Sequence, residues 1–132
     1  EYQTCITPWS IMHFLSGVIC VVLDVLYFKS NSFWLIFLVS NLLHLIYEIK
    51  DYYMTNSPDL REFIAKHINE DLAKWSITNS IMNCICDQIV FCIGVVIGYY
   101  IFYLQDMKYM LYPVIVIFIL IYCFLISNKN IK

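Results

Sequence analysis

Charge is what this chain has least of. Only 14% of its 132 residues are Asp, Glu, Lys or Arg, Arg61 is its one arginine, and the net charge is −2. With no basic cluster, nucleic-acid binding has no electrostatic footing. Glycine and proline are scarce, three of each, and no repeat or low-complexity tract occurs. No Asn-x-Ser/Thr acceptor with an allowed middle residue is present, and no cleavable signal is evident. The chain begins at Glu1, which reads as a processed or trimmed start. Six cysteines contain no CxxC pair. Cys84 and Cys86 are two apart and would point to different faces of a helix, so they make a poor dithiol. The expectation for all six is that of small core residues, without a redox or metal role.

What fills the chain instead is apolar: 61% hydrophobic residues and a mean hydropathy of +0.72. Soluble domains run about 45–50% apolar and about 25% charged. The composition therefore predicts a single-domain integral membrane protein, with membrane lipids as its surroundings.

Four apolar runs occupy residues 9–28, 33–49, 77–104 and 109–126. Each is about as long as a hydrocarbon core of roughly 30 Å needs at 1.5 Å per residue. The short turns at 29–32 and 105–108 predict two antiparallel hairpins. In the longer connection, Ser57-Pro58 reads as a helix start. Beyond it Leu60, Phe63, Ile64, His67, Ile68, Leu72 and Trp75 recur at helical spacing, opposite Arg61, Glu62, Lys66, Glu70 and Asp71. The expected fold is thus all-α: a four-helix transmembrane bundle with an amphipathic interfacial helix over about residues 58–74. The two termini and the connection carry Lys50, Arg61, Lys66, Lys74, Lys129 and Lys132, whereas the short turns carry Lys29 and Lys108. That bias predicts a multi-pass topology with both termini in the cytoplasm.

The polar residues inside the runs fall into stripes. Asn79, Asn83 and Asp87 lie four apart, with Gly94 and Gly98 continuing the same face of the third run. Asn41, His44, Glu48 and Asp51 share a face of the second, and His13, Cys20 and Asp24 a face of the first. Antiparallel connection brings His13, His44, Glu48, Asn83 and Asp87 to one depth, near the end that holds the termini. Asp24 lies roughly 16 Å further along its helix and belongs to the other half. Gly94-x-x-x-Gly98 is a close-packing motif, suited to a neighbouring helix of the same chain or to a second copy in a homo-oligomer.

A carboxylate at mid-bilayer costs about 2.5–3.5 kcal/mol and needs a partner. No Lys or Arg lies inside any run. Two imidazoles and two carboxylates at one depth fit a divalent metal ion such as zinc. The expected ligands are His13, His44, Glu48 and Asp87, with Glu48 and Asp87 as catalytic groups. Asn79, Asn83, Asp51 and Asn41 are the expected outer hydrogen-bonding partners. The leading functional expectation is a metal-dependent hydrolase or transferase acting on a lipid or lipid-linked head group. The alternatives are a proton- or cation-coupled transporter or channel that uses Asp24, a haem bundle with His13 and His44 as axial ligands, and a non-catalytic protein whose polar core only pins its helices together.

Three segments carry a family likeness: Thr7-Pro8-Trp9-Ser10-Ile11-Met12-His13, then Tyr47-Glu48-Ile49-Lys50-Asp51, then Asn79-Ser80-Ile81-Met82-Asn83-Cys84-Ile85-Cys86-Asp87 with Gly94. Together they resemble a group of small uncharacterised bacterial inner-membrane proteins with a TPS-x-x-x-H start, a W-E-I-x-E segment and a D-S-x-x-N-S-x-x-D-x6-G segment. A looser likeness is to the VanZ-like family, through His13-Phe14, Glu48 and the Gly94/Gly98 pair. Asn79 stands where the bacterial group has Asp, and Asp51 where it has Glu. The resemblance implies a membrane protein in which His13, Glu48, Asn83 and Asp87 matter, and it carries no reaction with it.

Overall fold

A computed structural model describes residues 5–28, 32–68 and 81–128, and every regular element among them is helical. The elements are α1 (Ser10–Phe28), α2 (Phe33–Asn56), α3 (Pro58–His67), α4 (Ile81–Tyr99) and α5 (Leu111–Ser127). A π turn over Tyr100–Leu104 and a 3-10 turn over Lys108–Met110 join the last two. Residues 77–80 with Asn79, residues 69–74 of the expected amphipathic helix, and Lys29, Lys74, Lys129 and Lys132 lie outside the described residues.

Two stretches, Phe33–Met54 and Ile81–Leu104, are long and apolar enough to cross a membrane. Ser10–Asp24 and Leu111–Ser127 are shorter apolar helices. The second helix continues past its apolar run, from Ile49 to Asn56, because nothing in 50–56 breaks a helix. Ser57 ends it. Its backbone sits at φ −112° and ψ 103°, extended as a residue before proline prefers. The Ser57 N–H closes α2 onto the Tyr53 carbonyl (2.9 Å), and its hydroxyl accepts the Leu60 N–H that opens α3 (3.4 Å). None of the α3 residues is buried. At the far end of α4 the Gln105 N–H reaches the Tyr100 carbonyl (3.0 Å), the wider hydrogen-bond pattern of a π turn.

The core is organised on α1 and α4, which meet backbone to backbone. A Cβ at Gly94 would collide with the Phe14 carbonyl oxygen, and one at Gly17 with that of Phe91. At Gly98 it would lie 2.9 Å from the Val18 Cα. Small residues at these positions let the helices close. Beside this contact, Val21, Ile36, Phe91 and Val95 form one buried cluster with α2. Val18, Val22 and Phe102 form another, covered by Leu111 and Val114 of α5.

Polarity runs opposite to that of a soluble bundle. Asp24, Ser40, His44, Glu48 and Asp87 are buried, while Leu38, Leu42, Ile46, Ile89, Ile93, Val116 and Leu120 are about half exposed or more. Soluble folds almost never bury acids fully unless they are paired, and they scatter their large exposed apolar residues.

Candidate functional site

Three helices meet at one end of the bundle and each supplies part of a polar cluster. From α1 come Ser10 and His13, from α2 Asn41, His44 and Glu48, and from α4 Asn83, Cys84, Asp87 and Gln88. The His13 Nδ1 and His44 Nε2 atoms lie 2.9 Å apart. Glu48 Oε1 is 3.3 Å from the first and 3.4 Å from the second. These three residues form a group that could hold a metal ion. A tetrahedral site with metal–ligand bonds of about 2.0–2.1 Å has ligand–ligand edges of about 3.3–3.4 Å. Two of the three observed edges match that span and the third is a few tenths shorter.

The outward faces of the three ligands determine what their inward faces offer. Asn41 donates its amide N–H to the Phe37 carbonyl (2.8 Å), which turns its Oδ1 toward α4. Gln88 must then present Nε2 to that oxygen (2.8 Å), and so Oε1 faces His44 Nδ1 (2.9 Å). An amide oxygen only accepts, so the His44 proton resides on Nδ1 and a lone pair is left on Nε2. On the other ring, Asp87 Oδ2 stands 3.6 Å from His13 Nε2 and favours the proton there. Asp87 in turn accepts from Ser10 Oγ (2.8 Å) and Asn83 Nδ2 (2.6 Å). Cys84 stands beside the Glu48 carboxylate. Glu48 Oε1 itself is buried and has no hydrogen-bond partner among the described residues. With its proton on Nδ1, His13 donates to His44 Nε2; with that proton on Nε2, two ring lone pairs and one carboxylate oxygen converge with no donor among them. Such an arrangement needs a cation, a shared proton or a metal, to be stable.

The His44 ring is stacked on Phe91, with centroids 3.9 Å apart, and stands at 89° to the His13 ring. His44 and Glu48 are buried, and His13 keeps 18% of its side chain exposed, so the cluster comes closest to the surface at His13.

Of the expected ligands, His13, His44 and Glu48 come together. Asp87 stands behind His13 on the opposite ring nitrogen. Asn83 braces Asp87, and Asn41 acts on His44 through Gln88. Asp51 pairs with Lys50 (2.5 Å) and stands beside Tyr47, outside the group of three. Asp24 accepts from Ser40 Oγ (2.5 Å) in the other half of the bundle. Gly94 and Gly98 face α1.

Gln88 and Ser10 were absent from the expected set. Gln88 had a signal, since an amide inside an apolar run needs a partner as much as Asn83 does. The cysteine expectation is corrected: Cys5 and Cys86 form a disulfide, with Cα atoms 5.6 Å apart. Helical spacing rules out pairing of Cys84 with Cys86 but is blind to the segment before α1, which folds back to deliver Cys5. No family model matches the chain, and no curated protein or solved structure is detectably similar to it.

Proposed function

We propose that this chain is a membrane-embedded, metal-dependent enzyme, a hydrolase or transferase acting on a lipid or lipid-linked head group. The observation that carries the reading is the convergence of His13 Nδ1, His44 Nε2 and the unpartnered Glu48 Oε1 within hydrogen-bonding distances. The likeness to VanZ-like proteins falls on His13 and Glu48 as well. Four spans are part of this reading. With buried acids and an exposed apolar exterior, α1 and α5 cross beside α2 and α4, and α3 lies at the interface with Phe63 (55% exposed) and Ile68 (65%) toward lipid.

Nitrogen and oxygen donors in a tetrahedral span suit zinc, which supplies Lewis acidity and a water of lowered pKa. The protein's own residues do the rest. His13 and His44 present fixed lone pairs, held by Asp87 and Gln88. Glu48 would offer one oxygen to the ion, and its other oxygen could take a proton from the attacking group. Phe91 keeps the inner side of the site dry. A haem reading fits less well, because imidazoles 2.9 Å apart leave no gap for a macrocycle.

Elemental analysis of the purified protein in lipid nanodiscs tests the reading. About one zinc per chain is expected, lost on His44→Ala. Protein that holds no stoichiometric metal and whose thermal stability ignores added zinc would sink it. A transport reading has one observation in its favour, the buried Asp24–Ser40 pair in the opposite half. Proton or cation flux in proteoliposomes that Asp24→Asn abolishes would promote it.

A further inference from the structure

The Cys5–Cys86 disulfide plays no part in the proposed chemistry, yet it bears on which side of the membrane that chemistry occurs. Cys86 is buried on α4, immediately before Asp87, five residues from Ile81 and eighteen from Leu104. Cys5 is exposed and opens the segment that leads into α1. That segment is tied to the site a second time. The Thr7 N–H donates to Ser10 Oγ (3.1 Å), and Ser10 Oγ donates to Asp87 (2.8 Å). The Trp9 ring meets Tyr122 of α5 edge-on at 6.5 Å. The bond therefore staples the N-terminal segment across the same end of the bundle that holds His13, His44 and Glu48.

Forming this bond removes two protons and two electrons from the two thiols. A disulfide-bearing oxidant accepts them by thiol exchange and leaves as a dithiol. Such oxidants operate outside the cytoplasm, and disulfides are rare where thiol reductants dominate. We infer that the end of the bundle carrying the Cys5–Cys86 disulfide and the His13–His44–Glu48 cluster faces the oxidising, extracytoplasmic side of the membrane. The inference rests on the reading of the chain as membrane-spanning, and it deepens the proposed function. A site opening on that side draws its metal ion from outside and meets head groups of the outer leaflet. It also reverses the orientation that the basic residues predict. Those residues bias insertion, whereas a covalent cross-link records the compartment in which the chain matured.

Impermeant thiol chemistry on the full chain decides the matter. In intact spheroplasts, a polyethylene-glycol maleimide should leave Cys5 unmodified until an impermeant phosphine is added outside, and should then add one label that is missing in Cys5→Ser. Cys86→Ser leaves Cys5 without its partner, and labelling from outside should then need no reductant. Inverted vesicles should give no Cys5 label in either protein. Labelling of wild-type Cys5 without reductant, or labelling confined to inverted vesicles, overturns the inference. Should this pattern hold while the purified protein binds no metal, the enzyme reading falls and the sidedness stands.

Discussion

One backbone carbonyl, that of Phe37, reaches as far as the site-facing nitrogen of His44. It orients Asn41, which orients Gln88, which fixes the imidazole proton. Loss of such an outer partner commonly lowers metal affinity about 10–100-fold. Gln88→Leu should fall in that range by calorimetric titration with zinc, and Asn41→Leu near its lower end, since Gln88 would remain present but could turn over. Unchanged affinity in Gln88→Leu would mean that the tautomer is not set this way. Glu48 gives a second prediction. Zinc at about 100 times its Kd should stabilise the wild type by about 2.7 kcal/mol. In Glu48→Gln that increment should shrink to nothing, read as the difference in Tm with and without zinc. The meeting of His13, His44 and Glu48 was legible in the sequence because an imidazole or carboxylate inside an apolar run is conspicuous, and antiparallel geometry fixes depth. The division of labour was not. Depth places Asp87 beside His13 but cannot say which ring nitrogen it meets, and that decides between ligand and brace.

At the scale of elements, the joint between α1 and α4 is the most sensitive place in the fold. Gly94→Ala would push a Cβ into the Phe14 carbonyl oxygen, which is backbone and cannot swing away. Overpacking of this kind costs about 1–3 kcal/mol, so unfolding of Gly94→Ala in detergent should begin at distinctly milder conditions. An Ile93→Ala change on the exposed face of the same helix should do little, since Ile93 is 49% exposed. The glycine stripe was visible in the sequence, and helical spacing supplied it. The length of α2 was not, because the expectation followed hydrophobicity, which stops at Ile49. The backbone follows hydrogen bonding, which Ser57 and Pro58 interrupt only later. The π turn after Tyr99 left no trace in the pattern of apolar residues, which is uniform across it.

At the scale of the whole molecule, the inverted polarity makes a simple forecast. The protein should stay with the membrane through an alkaline carbonate wash and leave it only in detergent. Release by carbonate would place the apolar exterior against another protein surface instead of lipid. The architecture also concentrates responsibility unevenly. The outer neighbours of the three clustered residues, Cys84 for Glu48, Asp87 for His13 and Gln88 for His44, sit at positions i, i+3 and i+4 of α4 alone. The site thus hangs from one rigid bar. A rotation of that bar by a single residue, about 100°, would disengage all three braces in one movement. The stop that prevents such a turn is the glycine contact with α1, six residues, or roughly 9 Å, along the bar from Gln88. The polar cluster and the packing are therefore geared together, and a bulky side chain at Gly94 should disturb the cluster without touching it.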